Sequence, residues 1–565
     1  MRLLPIVERE LRVAARRRST YALRWLAAAA ALAVTLWLCL LPTAGQPPTA
    51  LGKSLFTSLS IMAFAYSLLI GPFLTADCLS SEKREGTLGL LFLTDLRGFD
   101  IVLGKWAATS LAGFYGLLAV IPTLAIPLLI GGVTPGEYGR TALAVVNAIL
   151  FSLTAGIFVS AVSRDQTKAI LGSLILVLAL SGLVPGLMVL ILNGFFGKGI
   201  GGFLSELFGH LPLAHPTVIS PSYTGQYALE GAYRADPKLF WTSLGTVHSL
   251  CWTFIIAGTV IVRRVWRREP VGPGDAHRWL WRVGWTKGWR RRFAKRLERN
   301  PIYALAGRHR WPHWVFWGLV GIVTINIYWL TIGARRNPGI YQFHLHFSAA
   351  MYFINRVWIA AMACRFFVEA RRNNALELIL TTPIEVRTIL RGRRRGLIHL
   401  FLWPVVAIGV LHGLYLWGAW EPSAKLPNSE LVFRQEATKA GGSLVSFVTD
   451  VLAMSALGGW LSLASKRLPF VILQTFTLVT LVPWSALHLF GGERLLQKLF
   501  QQNYLFVEPL AWVAKNALFF AWAAFNLRRH FRAAAAQTHG WKRSNKDVPL
   551  VSGGVTINTP IQTGR

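Results

Sequence analysis

The chain has 565 residues, 53% of them hydrophobic, with 23 Trp and a mean hydropathy of +0.44, which excludes an ordinary soluble domain. Its formal charge of +34 would suggest nucleic acid in a soluble protein. Placement argues otherwise: residues 1–24 and 263–310 hold 22 Lys/Arg in 72 residues, whereas the alternate connections 42–53, 131–139 and 194–238 hold 4 in 66. That contrast is the positive-inside pattern. It puts the N-terminus and the central linker in the cytoplasm and predicts contact with anionic lipids rather than nucleic acid.

Residues 1–20 read as an amphipathic helix lying in the membrane interface, with Leu3, Ile6 or Val7, Leu11 and Ala14 or Ala15 set against a cationic face. The apolar run from Ala22 to Leu41 is too long for a signal peptide and carries Arg24 near its start, so it reads as a retained anchor. Further spans are predicted near 54–76, 103–130 (kinked by Pro122 and Pro127), 140–162, 169–193 and 239–262. The connection 194–238 is the largest outside loop of this half.

The linker 263–300 is dense in Arg and Trp, with Trp281, Trp285, Trp289 and Phe293 every four residues. Such a composition can stack single-stranded nucleic acid, but beside these spans it reads as membrane-surface anchoring. Asn300-Pro301-Ile302-Tyr303 then reopens the pattern of Leu4-Pro5-Ile6-Val7. Spans near 312–333, 345–366, 397–419, 444–464, 468–490 and 507–526 repeat the plan, and 527–565 reads as a disordered cytoplasmic tail. The expectation is an all-α polytopic membrane protein of about twelve transmembrane helices. It comprises a first six-span repeat (1–262), a linker (263–300), a second six-span repeat (301–526) and a tail. Both termini lie on the cytoplasmic side of the cell's inner (cytoplasmic) membrane.

One charged stretch lies between two spans, Ser81 to Lys105. Its carboxylates and guanidinium would be costly in hydrocarbon, so it belongs at the membrane face. A second copy follows 288 residues later. Arg84, Leu88, Leu90, Thr94, Ile101 and Gly104 match Arg372, Leu376, Leu378, Thr382, Ile389 and Gly392. Leu91, Phe92, Leu96, Val102 and Lys105 are replaced by Ile379, Leu380, Ile384, Leu390 and Arg393, and Asn373-Asn374-Ala375 stands for Glu85-Gly86-Thr87. Shared placement after the second span of each set points to internal duplication, with a degenerate second half.

The basic interfacial helix, the six spans and the segment Ser81-Glu82-Lys83-Arg84-Glu85-Gly86-Thr87-Leu88, followed by Leu91, Thr94 and Ile101-Val102-Leu103-Gly104-Lys105, resemble the permease subunits of type-2 ABC transporters. The resemblance covers the first half well and the second by repeat. It implies that residues 81–105 and 369–395 couple to a separate ATPase dimer, and that the function is export or membrane extraction. A fused pair of halves would supply in one chain what two six-span chains otherwise supply.

The residues agree with that implication. No GxxxxGK[ST] occurs, so this chain has no phosphate-cradling loop; ATP and Mg belong to the partner, and no cofactor is expected here. Glu82 and Glu85, at i, i+3, would meet basic residues of the partner, while Leu88, Leu91 and Phe92 would fill an apolar groove. The alternative is a solvated loop that merely connects two spans. Arg84, Gly86, Thr87 and Thr94, with Arg372, Leu376, Leu380 and Thr382 of the second copy, complete the candidate coupling residues.

Within the spans, Arg356 (beside Asn355) and Lys515 are candidate polar contacts, with Asp450 and Glu508 placed to neutralise them. A substrate contact and an interior ion pair both fit. The few acidic residues in spans argue against a proton-coupled carrier. Scattered Cys39, Cys78, Cys251 and Cys364 offer no metal pattern. The other class of reading is an integral membrane enzyme or scaffold acting on lipids or glycans. His210, His215 and Asp236 in the outer loop would be its starting point, though no nucleophile or ligand set accompanies them.

Overall fold

The computed structural model describes residues 47–93, 96–183, 216–265, 338–372, 375–382, 384–423, 429–465, 468–483 and 504–536, with a few isolated positions besides. These are helical, with no strand among them. The interfacial helix 1–20, most of span 22–41, the linker 266–300, most of span 312–333 and the segment 537–565 lie outside the described residues. Among those described, six helices are long and apolar enough to cross a membrane: Pro48–Glu85, Gly98–Ile130, Pro135–Val162, Pro237–Arg264, Gly441–Leu463 and Pro509–Arg529. The protein is thus an all-α, multi-pass membrane protein.

In the first half, α1 (Pro48–Thr75) begins with Pro at its first turn, where a missing N–H costs nothing. Short α2 (Cys78–Glu85) and α3 (Thr87–Phe92) follow, and then α4 (Gly98–Leu124) and α5 (Ile126–Ile130). The predicted proline kink falls at Ala125, between Pro122 and Pro127. Next come α6 (Pro135–Val162), capped by Thr134, and α7 (Gln166–Leu178), capped by Asp165, whose carboxylate accepts from the N–H groups of Thr167 and Lys168. A π-helical turn, Ala179–Leu183, ends α7. Small α8 (Pro221–Tyr227) and α9 (Glu230–Ala235) precede α10 (Pro237–Val265).

Small residues let α1 and α6 approach closely, as membrane helices do. A Cβ at Gly71 would lie 2.2 Å from the Ser152 carbonyl carbon. The Thr75 hydroxyl donates across the seam to the Leu153 carbonyl at 2.8 Å, and the Ser152 hydroxyl to that of Ser67.

The second half comprises α11 (Pro338–Arg372), α12 (Ala375–Thr381), α13 (Val386–Ser423), α14 (Ser429–Ala464), α15 (Leu468–Phe476), α16 (Tyr504–Arg529) and α17 (Phe531–Ala536). A π-helical turn, Thr477–Leu481, ends α15 as one ends α7. Predicted spans 345–366 and 397–419 fall inside α11 and α13, which are long helices but are not among the six apolar spans. Spans 169–193 and 468–490 correspond to shorter apolar helices, Gln166–Gly182 and Leu468–Leu481.

The tail boundary at 527 needs correction. α16 runs on to Arg529, and in α17 Phe531 and Ala535 are buried with Leu527. Leu527, Phe531 and Ala535 recur every four residues, which gives this short extension an apolar stripe to bury.

The largest apolar cluster joins the halves. Phe73, Ala76, Ile170 and Leu174 pack in it with Trp358, Ala361, Val471, Phe476 and others. Two smaller clusters share a set of corresponding positions. Leu79, Leu88, Ile101, Leu91, Phe92 and Leu96 form one; Phe367, Leu376, Ile389, Ile379, Leu380 and Ile384, each 288 positions later, form the other.

Candidate functional site

The stretch singled out by the sequence folds as a helical corner. α2 stops because Gly86 adopts the left-handed conformation, φ 73°, and α3 restarts at Thr87. The start of α2 is tied to α6: the backbone N–H groups of Leu79 and Ser80 donate to the Ser160 hydroxyl at 3.0 and 2.9 Å. The Lys83 ammonium donates to the Ser160 and Ala161 carbonyls at the end of the same helix. Arg84 does not reach outward. It pairs with Asp77 at 2.6 Å and donates to the Arg164 carbonyl at 3.1 Å.

The two glutamates differ from the expectation of a shared partner-facing surface. Glu82 pairs with Lys105 at 2.7 Å and accepts from the Thr87 hydroxyl, so it staples α2 to α3 and α4. Glu85 is 61% exposed, but its contact lies within the chain: it meets Arg372 of the second copy at 3.3 Å. Leu88 is 4% exposed and packs inward with Leu79, Ile101 and Ile157, with Leu91 and Phe92 against them. Leu88 is core, and Leu91 and Phe92, half-buried, turn toward it. The outward apolar groups are Leu90, 62% exposed, and Leu93, 80% exposed. Sequence reasoning missed them, although helical spacing holds the signal: positions 88, 91 and 92 share one face, leaving 90 and 93 on the other. Thr94 lies outside the described residues.

The second corner has the same plan. Leu376 is buried, Ile379 and Leu380 pack beside it, and Leu378 is 70% exposed. The Thr382 hydroxyl donates to the Ile379 carbonyl at 2.6 Å, closing the last turn of α12. The corners touch each other. Beyond the Arg372–Glu85 pair, Arg372 donates to the Gln166 side chain at 3.5 Å. Arg365, 9% exposed, bridges Asp165 of the first half at 3.2 Å and Glu369 of its own helix at 2.5 Å. Neither Ser160 nor Arg365 stood out in the sequence, because the contacts that tie them to the corners, Ser160 to Leu79 and Ser80 and Arg365 to Asp165, lie far along the chain.

Arg356, Asp450 and Lys515 do come together. Asp450 is fully buried; it meets Arg356 at 2.7 Å and Lys515 at 3.8 Å, and accepts from Trp512 at 3.0 Å and Asn516 at 2.8 Å. Lys515 also lies 4.0 Å over the Trp512 ring. Between the two readings of these charges, this geometry is that of an interior ion pair tying α11, α14 and α16. The Glu508 side chain lies outside the described residues.

At the opposite end of the first half, Glu230 accepts from Arg234, Arg140 and Thr134, and these hydrogen bonds hold its carboxyl down to about 2. Asp236 accepts from the Lys238 N–H, an ordinary local turn, and His210 and His215 lie outside the described residues. Among the described residues no three His, Cys, Asp or Glu side chains gather as a metal site.

Residues 4–218 match the model of the family described as ABC-2 family transporter protein. No curated protein and no solved structure matches.

Proposed function

We propose, from the match of residues 4–218 to the ABC-2 transporter family model, that the chain is a permease and that its paired corners receive the work of a separate ATPase. A permease without a phosphate-cradling loop needs a rigid feature through which an engine can push. The observation that carries this reading is the build of the first corner. It exposes Leu90 on a six-residue helix and Leu93 at that helix's C-cap, and a left-handed glycine, the Glu82–Lys105 pair and the Ser160 cap hold the corner in place. Exposed apolar groups on a braced element at the end of three spans suit a helix-in-groove contact. Leu378 offers the second, poorer contact.

The Glu85–Arg372 and Asp165–Arg365 pairs cross between the halves, so a push on one corner is delivered to both. That is the arrangement a duplicated permease would need to answer an ATPase dimer as a single chain. In this reading the corners face the cytoplasm of the inner membrane, both termini lie on that side, and the transport direction is export or extraction. Nucleotide and magnesium sit on the partner, and the chain itself catalyses nothing.

The test is affinity purification of the tagged chain in mild detergent, wild type beside Leu90→Asp with Leu93→Asp. An ATP-binding-cassette protein recovered with the wild type and lost from the double variant is the expected result. Failure to recover one even after cross-linking removes the coupling reading. These two side chains are exposed, so the variant is expected to elute from gel filtration as the wild type does.

A further inference from the structure

Helices α13, α14 and α16 enclose a cleft of about 690 Å³ beside the second corner. Its two ends differ in chemistry. Arg387, Arg391 and Arg394 lie at i, i+4 and i+7 along the first turns of α13, and Arg528 joins them from the last turn of α16. Deeper in, the walls are apolar: Leu397, Phe401 and Val405 face Val448, Val451 and Phe520. No Asp or Glu is among the residues lining it.

A fifth arginine makes this more than a basic surface. Arg393 lines the same cleft at 5% exposure; its guanidinium donates to the Ala363 and Ser455 carbonyls at 2.7 and 2.9 Å, while its Nε has no hydrogen-bond partner. The aligned residue of the first half, Lys105, is neutralised by Glu82. The residue aligned with Glu82 is Ala370, so the second half keeps the buried cation and lacks that carboxylate. A buried charge without a counter-ion is costly, and an outside anion would relieve it. The linker 266–300 does not suit the role, since it is itself rich in Arg and Lys.

We propose that this cleft is a binding site for an anionic phospholipid, its phosphodiester held by Arg391, Arg394 and the buried Arg393 and its acyl chain lying along the apolar walls of α13, α14 and α16. A charged head beside a long apolar slot, at the level where spans meet the membrane surface, matches a phospholipid in both halves of its chemistry. The site stands whether or not an ATPase docks on the corners.

The test uses the full chain, stripped of lipid in detergent, titrated with fluorescent phosphatidylglycerol and with fluorescent phosphatidylcholine. Phosphatidylglycerol is expected to bind at least about tenfold tighter, each surface arginine contributing roughly fivefold. Arg391→Ala with Arg394→Ala removes most of that preference, both side chains being exposed. Ala370→Glu, which supplies the missing carboxylate, weakens phosphatidylglycerol while leaving every arginine in place, and does so more than Leu402→Glu at an exposed position on the same cleft, so the excess reports pairing with Arg393 rather than a general loss of positive charge. Equal binding of the two lipids, or a preference untouched by both variants, overturns the site. Displacement of the label by millimolar inorganic phosphate overturns the lipid assignment, since a free phosphate has no use for the apolar walls. Gel filtration of each variant confirms that a loss reflects the site rather than misfolding.

Discussion

The two corners occupy matching places in their halves, with the same residues buried at the same spacing, and differ in how they settle their charges. In the first, each cation that turns inward meets an acid or a carbonyl: Lys105 meets Glu82, Arg84 meets Asp77, and Lys83 meets the end of α6. In the second, Arg393 meets two carbonyls and the face of the Phe367 ring but no carboxylate, and four further arginines crowd the mouth of an apolar cleft. The second half also buries Asp450 in an ion-pair cluster that has no counterpart in the first half among the described residues. One scaffold carries two tasks when the apolar positions that define it are kept and the charges are redistributed. In the functions proposed for them, the first corner is braced for mechanical contact and the second is open to an anion.

The largest expected effect lies where that redistribution is deepest. Asp450→Ala leaves Arg356 and Lys515 in a low-dielectric interior without their shared carboxylate, an expected loss of about 4 kcal/mol. Thermal unfolding in detergent is expected to show a drop of several degrees at least, and an unchanged transition would mean that the cluster is not structural. Glu82→Ala is next, at about 3 kcal/mol, because Lys105 is only 10% exposed and would be made to resemble Arg393 without a cleft to serve it. Adding Lys105→Met should recover most of that loss; a double variant as unstable as the single one would refute the pairing argument.

Gly86→Ala is expected to cost about 1 kcal/mol, all of it backbone strain, since nothing lies within 4 Å of a Cβ built there. A cost well above this would point to a contact the corner makes when bound. Glu85→Gln is the smallest. Its partner pair is largely exposed, so less than about 0.5 kcal/mol is expected in stability. Its effect should instead appear as salt-sensitive protection of residues 372–382 from hydrogen exchange, weaker in the variant; identical exchange would show that the two corners move independently.

What the sequence determined by itself is what local chemistry controls. Long apolar runs made the chain helical and membrane-bound, prolines at 122 and 127 set a break in one helix, and Gly86 set the corner. The repeat at 288 residues marks the second corner, because burying an apolar face repeats the same spacing. What only the tertiary structure decided is who meets whom. Glu82 finds Lys105 across 23 positions, Arg356 finds Asp450 across 94, and Glu85 finds Arg372 across 287. Charge pairing follows from the packing of distant helices and leaves no periodic trace. The same packing turned Leu88, Leu91 and Phe92 inward and left Leu90 and Leu93 outside, since a short amphipathic helix shows which residues share a face but not which face its neighbours cover.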